Sequence, residues 1–231
     1  MTDPVVDAIT EAKIPVGRVV ADAFTWVDDN FWRAFEVLER GLSGAIDGLE
    51  SALSFPHPLI LIAIFAAITW LLQRRWISVV IVVICALFAL NQGYWDLTMK
   101  TLTLVLGACF VCMAIGVPMG IYSAHHPRFY RILTPLLDLM QTLPTFVYLI
   151  PVLVLFGLGM VPGLVATVIF AMPAAIRLTE LGIRSTPTAL TEAATAFGAT
   201  NMQRILKVEL PFAFPQIMAG LNQTIMLSLS M

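Results

Sequence analysis

The sequence predicts an all-α membrane protein, and composition and hydropathy are the observations that predict it. The 231 residues have a mean hydropathy of +0.88, 59% of them are hydrophobic, and only 12% are charged. A soluble domain carries about 25% charged residues, which cover its surface. Long apolar segments recur along the chain, and segments of this length cross a bilayer as helices. The same totals exclude a disordered chain and a nucleic-acid binder that relies on a basic surface.

Charge divides the chain into an acidic tail and a membrane body. Residues 1–56 contain ten acidic and four basic side chains, whereas the rest contains five acidic and nine basic ones. We assign residues 1–54 to an acidic N-terminal tail that includes an amphipathic helix. The helix is predicted from about Asp28, where the sequence suits an N-cap, and apolar side chains follow at steps of three or four. Such a helix lies in the membrane interface or packs against the body of the protein, and the sequence leaves both open.

Six apolar segments follow the tail, and each approaches the ~20 residues that a bilayer-spanning helix needs. They cover residues 55–72, 76–93, 97–122, 132–156, 161–176 and 212–231. We assign the first two to an accessory pair over residues 55–96, and residues 97–231 to the core. Lys and Arg accumulate on the cytoplasmic side of membrane proteins. Eight bases follow spans one, three and five, which predicts that the N-terminus lies outside and that the loop 177–210 faces the cytoplasm.

This longest loop between spans is predicted to contain two short helices. Pro187 is typical of the first turn of a helix, and Gly198 is typical of a helix end. Thr200 and Gln203 have the spacing of a capping box that opens a second helix, and Pro211 marks the entrance to the last span. Small side chains cover much of the first helix, so the backbone of another protein can approach it closely.

The loop also carries a motif with a fixed spacing. Glu192-Ala193-Ala194 is followed after three residues by Gly198 and, after nine more residues, by Val208-x-Leu210-Pro211. The motif resembles the EAA signature of permease subunits in binding-protein-dependent ABC importers, which usually has Ile where Val208 stands. Other stretches, among them residues 141–151, 156–159 and 219–224, are similar to the branch that imports glycine betaine, proline betaine or choline. The resemblance covers residues 95–231.

The resemblance implies a type I ABC importer permease fold and a transport subunit, not an enzyme. In that family two permease subunits, here expected to be a homodimer, pair in the bacterial inner membrane with two cytoplasmic ATPase subunits and an external substrate-binding protein. The resemblance assigns the coupling of ATPase motion to alternating access to Glu192, Ala193, Ala194, Gly198, Val208, Leu210 and Pro211. ATP and magnesium belong to the ATPase, so no cofactor or metal is expected in this chain. The family has two core helices after the loop and the sequence has room for one, so we expect the last to be missing.

Polar side chains on two spans are candidates for a translocation pathway. They are Gln141, Thr142, Thr145 and Tyr148 on the fourth span, and Asn222, Gln223 and Thr224 on the sixth. Neutral hydrogen-bonding groups suit a zwitterion that must be released again, but hydrogen bonds between packed spans explain the same residues. The sequence leaves both open. We also expect Arg177 and Glu180, three residues apart, to form a surface pair.

Other functions predict features that the sequence lacks. An intramembrane enzyme predicts a catalytic motif, and neither H-E-x-x-H nor G-x-S-x-G occurs. A stand-alone secondary transporter predicts inverted repeats and ionisable residues at mid-membrane, which we do not find. No Walker A motif occurs, so ATP hydrolysis is expected in another chain. An importer permease for a different small solute is the alternative, because nothing in these residues separates betaine from choline or another osmolyte.

Overall fold

The computed structural model describes residues 16–230, which form helices and no strand. The helices, numbered in chain order, are α1 Val16–Ser54, α2 Pro58–Gln73, α3 Trp76–Asn91, α4 Trp95–His125, α5 Pro127–Thr142, α6 Thr145–Phe156, α7 Met160–Arg184, α8 Thr188–Ala196, α9 Asn201–Arg204 and α10 Leu210–Leu229. A π-helical turn, Ile205–Glu209, lies between α9 and α10. The first fifteen residues of the predicted tail and the last residue of the predicted sixth span lie outside the described residues. The chain divides into two units, one ending at Gly41 and one comprising Leu42–Met231.

Helix α1 begins earlier than the predicted start near Asp28. Asn30 does not cap a helix: its side-chain amide donates to the carbonyl oxygen of Trp26, 2.7 Å away and one turn back. A side chain that bonds in this way leaves the helix uninterrupted. In the second unit, the apolar stripe of α1 continues through Ile46, which is 4% exposed and lines an apolar cavity of about 520 Å³ beside α4 side chains such as Phe110.

Helices α2 and α3 form a hairpin at the predicted tight basic turn. Arg74 ends α2 in the left-handed conformation, and Arg75 precedes α3. The rings of Trp70 and Trp76 lie 6.2 Å apart across this turn. Each helix has 16 residues and is therefore about 24 Å long, which is shorter than the ~30 Å hydrocarbon layer.

The core of the second unit consists of α4, α7 and α10, which pack against one another. Gly116 and Gly120 allow α4 to approach α7 closely. A Cβ at Gly120 would lie 2.6 Å from the Cβ of Thr179 and 2.8 Å from the carbonyl oxygen of Ile176. Gly182 on α7 permits a similar approach to α10, where a Cβ would meet that of Ala213 at 3.1 Å. The small-residue spacing of Gly116 and Gly120 therefore serves packing within the chain.

The predicted fourth span is two helices and not one. Helices α5 and α6 meet at an angle of 95°, because the backbone is extended at Leu143 and Pro144. Proline removes a backbone donor and restricts the residue before it, so the helix ends there. The Tyr148 hydroxyl donates to the carbonyl oxygen of Leu139 across the break, 2.8 Å away.

Two of the described helices, α4 and α7, are long and apolar enough to cross a membrane, and the number rises to four if two bent helix pairs each count as one crossing. Helix α10, the predicted sixth span, has sufficient length with 20 residues. Its amides at Gln216, Asn222 and Gln223 reduce its hydropathy. The prediction of six crossings therefore stays a prediction.

Candidate functional site

The motif residues lie on a helical loop between α7 and α10. Glu192 and Ala193 are exposed on α8 and Ala194 is half-buried. Gly198 follows the end of α8 with φ of +79°, a conformation that other residues rarely adopt. The backbone N–H of Ala199 donates to the Ala194 carbonyl oxygen at 3.0 Å, so this turn satisfies the end of the helix.

The second half of the loop is a continuous helical path into α10. Thr200 and Gln203 form the predicted capping box: the Thr200 N–H donates to Gln203 Oε1 at 2.9 Å, and the Gln203 N–H donates to Thr200 Oγ1 at 3.3 Å. The π-helical turn then leads directly into α10, where Leu210 is half-buried and Pro211 is exposed. Val208, on the π-helical turn, is half-buried too. The path from α9 to α10 contains no loop, so it can transmit a displacement along its axis.

The loop exposes large apolar side chains around the small residues of the motif. Phe197 is 91% exposed, Met202 64%, Leu206 54% and Leu190 46%. Together with Ala193 they form the surface that we call the coupling face. Exposed apolar patches of this kind mark sites where another protein or a membrane binds. The small residues predicted from the sequence are present on this face, and large apolar side chains are exposed beside them.

A buried ion cluster joins this loop to α4, and no pattern in the sequence predicts it. Glu209 is 4% exposed. The Arg204 Nε–H donates to Glu209 Oε1 at 2.9 Å, and His125 Nε2 lies 2.8 Å from Glu209 Oε2. His125 is the last residue of α4. No local pattern relates it to Glu209, because the two residues are far apart in the chain.

The predicted surface pair of Arg177 and Glu180 is wrong. Arg177 donates to Asp138 Oδ1 on α5 at 2.5 Å, and Glu180 is 4% exposed and accepts from Arg184 at 3.0 Å. Residues four apart on a helix stack on the same face, which explains the Glu180–Arg184 pair. The Arg177–Asp138 pair depends on the packing of α5 against α7.

The candidate pathway residues of the predicted fourth span lie on both sides of its bend. Gln141 and Thr142 are exposed at the end of α5, and Thr145 and Tyr148 are half-buried on α6. The Thr142 hydroxyl lies 3.4 Å from the Leu139 carbonyl oxygen, which also accepts from Tyr148. These contacts are local hydrogen bonds around the bend.

The candidates on α10 differ from one another in exposure. Asn222 and Gln223 are exposed, whereas Thr224 is fully buried and its hydroxyl donates to the Gly220 carbonyl oxygen at 2.9 Å. Helix α10 packs against α4 and α7 and has no extensive contact with α5 or α6. The two candidate sets are therefore not packed against each other within one chain.

A comparison with known proteins identifies the family of this chain. Residues 116–231, which contain the loop and most of the core helices, match the family described as "Binding-protein-dependent transport system inner membrane component". The chain belongs to this family. Its all-α fold is therefore that of a multi-pass permease, and its members are transport subunits of ABC systems and not enzymes. Such a system includes a substrate-binding protein and a separate ATPase.

Named relatives of this permease cover almost the whole chain. It is 43% identical over 219 residues to the glycine betaine transport system permease protein OpuAB of Bacillus subtilis (strain 168), covering 95% of this chain and 77% of that protein. It is also 43% identical over 229 residues to the glycine betaine/proline betaine transport system permease protein ProW of Escherichia coli (strain K12), covering 98% of this chain. The alignment spans 64% of ProW, just under two thirds of its length. The glycine betaine/carnitine transport permease protein GbuB of Listeria monocytogenes is 41% identical over 216 residues.

Proposed function

We propose that this permease belongs to an ATP-driven importer for a quaternary-amine osmolyte, such as glycine betaine, proline betaine or choline, in a bacterial inner membrane. The named relatives transport glycine betaine, proline betaine or carnitine. These solutes share a quaternary ammonium group and a carboxylate. Recognition of such a cation commonly uses aromatic rings, and we assign that selection to the external substrate-binding protein.

The coupling face binds the ATPase in this proposal, and its exposed apolar area is the observation that carries it. Phe197 is 91% exposed at the end of α8. An apolar ring of this size is covered when a partner docks. The eight bases beside the predicted spans support a cytoplasmic position for the loop, because Lys and Arg are enriched on that side.

Removing the ring at position 197 tests this proposal. We expect Phe197→Ser to abolish copurification of the ATPase with the permease, because the main apolar anchor is lost while no buried contact changes. Glu192→Lys should weaken binding as well, and Asp96→Lys is the matched control, since it makes the same charge change at an exposed position distant in sequence from the coupling loop. Undiminished ATPase copurification with both Phe197→Ser and Glu192→Lys contradicts the assignment of the coupling face.

A second copy of the permease covers the exposed amides of α10 in this proposal. Asn222 and Gln223 are exposed beside Met226, which is 61% exposed. An amide that faces lipid without a partner costs several kcal/mol. A homodimer places these amides at the subunit interface, where they are available to the solute, and two such permeases bind two ATPase subunits.

A further inference from the structure

The helical path that leads from the coupling face into the membrane contains a buried carboxylate held by two other elements. The Glu209 side chain is 6% exposed, and its two oxygens contact Arg204 on α9 and His125 at the end of α4. The distances are 2.9 Å to Arg204 Nε and 2.8 Å to His125 Nε2. A buried carboxylate requires such partners, since an unpaired charge is costly away from water.

The π-helical turn explains how Arg204 reaches Glu209. The two residues are five positions apart, and in an α-helix residues five apart point about 140° away from each other. In this turn, the Leu210 N–H donates to the carbonyl oxygen of Ile205, five residues earlier, so each turn contains more residues. Residues five apart then lie near one face, and the Arg204–Glu209 hydrogen bond forms.

His125 extends the cluster to the transmembrane core. Its Nδ1 lies 2.8 Å from the carbonyl oxygen of Ile121, and its Nε2 faces Glu209. Both ring nitrogens therefore lie within 3 Å of an oxygen atom. Helix α4, which carries His125, packs along α7 and α10. Glu209 thus connects the coupling loop to the end of a core helix.

We infer that Glu209 is a positioning residue for coupling, which transmits displacement of α9 to α4 through Arg204 and His125. The inference rests on the proposed function, because it assumes that the ATPase moves the coupling face. Without the carboxylate, α9 can move while α4 stays in place. ATP hydrolysis then continues, and transport does not follow it.

The test uses the complete complex with its ATPase and binding protein in proteoliposomes, with glycine betaine as the probe. Glu209→Gln keeps the shape of the side chain and removes its charge. We expect the ATPase to copurify normally and to hydrolyse ATP within twofold of wild type, while the amount of solute transported per ATP falls at least tenfold. A ratio within twofold of wild type overturns the inference. So does loss of ATPase binding, because Glu209 would then only shape the docking surface.

Glu180→Gln is the matched control. Glu180 is also 4% exposed and ion-paired, but its partner Arg184 lies on the same helix. We expect its transport per ATP to be unchanged, and an equal loss in both variants contradicts a specific role of Glu209.

His125→Asn and Arg204→Gln provide the same test if Glu209→Gln does not fold. His125→Asn should add no further loss to Glu209→Gln, since both substitutions remove the same contact between His125 and Glu209. If the proposed function itself is wrong, Phe197→Ser retains ATPase binding, and that result is independent of the Glu209 measurement.

Discussion

Single glycines on α4 set how closely the core helices pack. Gly120 has no room for a methyl group, because a Cβ there would lie 2.8 Å from the Ile176 carbonyl oxygen. Gly163 on α7 has no atom within 4 Å of a Cβ. Both are helical glycines, so backbone propensity favours alanine equally at both positions. The difference between them lies in their surroundings.

We therefore expect Gly120→Ala to destabilise the permease and Gly163→Ala to stabilise it slightly. The first forces α4 away from α7 and costs about 1–3 kcal/mol. The second reduces the entropy of the unfolded chain and contributes about 0.5–1 kcal/mol. Thermal unfolding of the detergent-solubilised protein measures both changes. Equal melting temperatures for the two variants would contradict the close approach at Gly120.

The ion pairs of α7 were only partly predictable from the sequence. Their spacing in the sequence placed Arg177 and Glu180 on one helix face, and we predicted that they form an ion pair with each other. The structure pairs Arg177 with Asp138 and Glu180 with Arg184. The second pair is local and follows from helical spacing. The first depends on how α5 packs against α7, and a periodic pattern within one helix contains no information about that.

At the scale of elements, the turn after α8 determines how the coupling face is presented. Gly198 has φ of +79° and is exposed, with open space around it. The backbone conformation, and not a lack of space, is therefore what requires glycine there. Asn tolerates this left-handed region, whereas a β-branched residue does not.

Two substitutions at this turn separate conformation from side-chain size. We expect Gly198→Val to reduce copurification of the ATPase, because the left-handed conformation costs about 1–3 kcal/mol and the turn rearranges. Gly198→Asn should retain most of the ATPase. Quantitative pull-down with the cognate ATPase measures both. Full binding by Gly198→Val would mean that the coupling face does not depend on this turn.

The helices themselves were largely predictable, and their interruptions were less so. Hydropathy located α2, α3, α4, α7 and α10 within a few residues, except that α7 continues to Arg184, well beyond the predicted end of its apolar segment. The capping box at Thr200 has the predicted hydrogen bonds. The predicted span 132–156 breaks at Leu143 and Pro144, because proline bends or ends a helix depending on its neighbours. The π-helical turn between α9 and α10 was not predicted from the sequence.

At the scale of the whole molecule, α10 exposes amides beside apolar side chains. This surface suits contact with a second permease, because amides and apolar groups can both be covered there. Helix α3 contrasts with it: Phe88 is 65% exposed, and apolar neighbours such as Ile84 are 60% exposed. An apolar surface of this kind is fully compatible with lipid.

Photocrosslinking distinguishes the two surfaces. We expect benzoyl-phenylalanine in place of Asn222 to yield a crosslinked permease dimer in membranes, because we propose that this position lies at the interface between two copies. The same substitution at Phe88 should yield lipid adducts only. Gel electrophoresis and mass spectrometry identify the products. A dimer band from Phe88 alone would place the interface elsewhere. It would contradict the proposal that the α10 amides lie between two permease copies.

The sequence by itself determined the membrane class, most of the helices and the motif in the loop between α7 and α10, and the comparison bears out the family that this motif indicated. These features depend on composition and on spacings within one segment, which a single chain displays directly. Only the tertiary structure decided the bend between α5 and α6, the packing of Gly120 against α7 and the cluster of His125, Arg204 and Glu209. Each of these depends on which distant segments meet, and that is fixed by packing and by the need to pair buried charges.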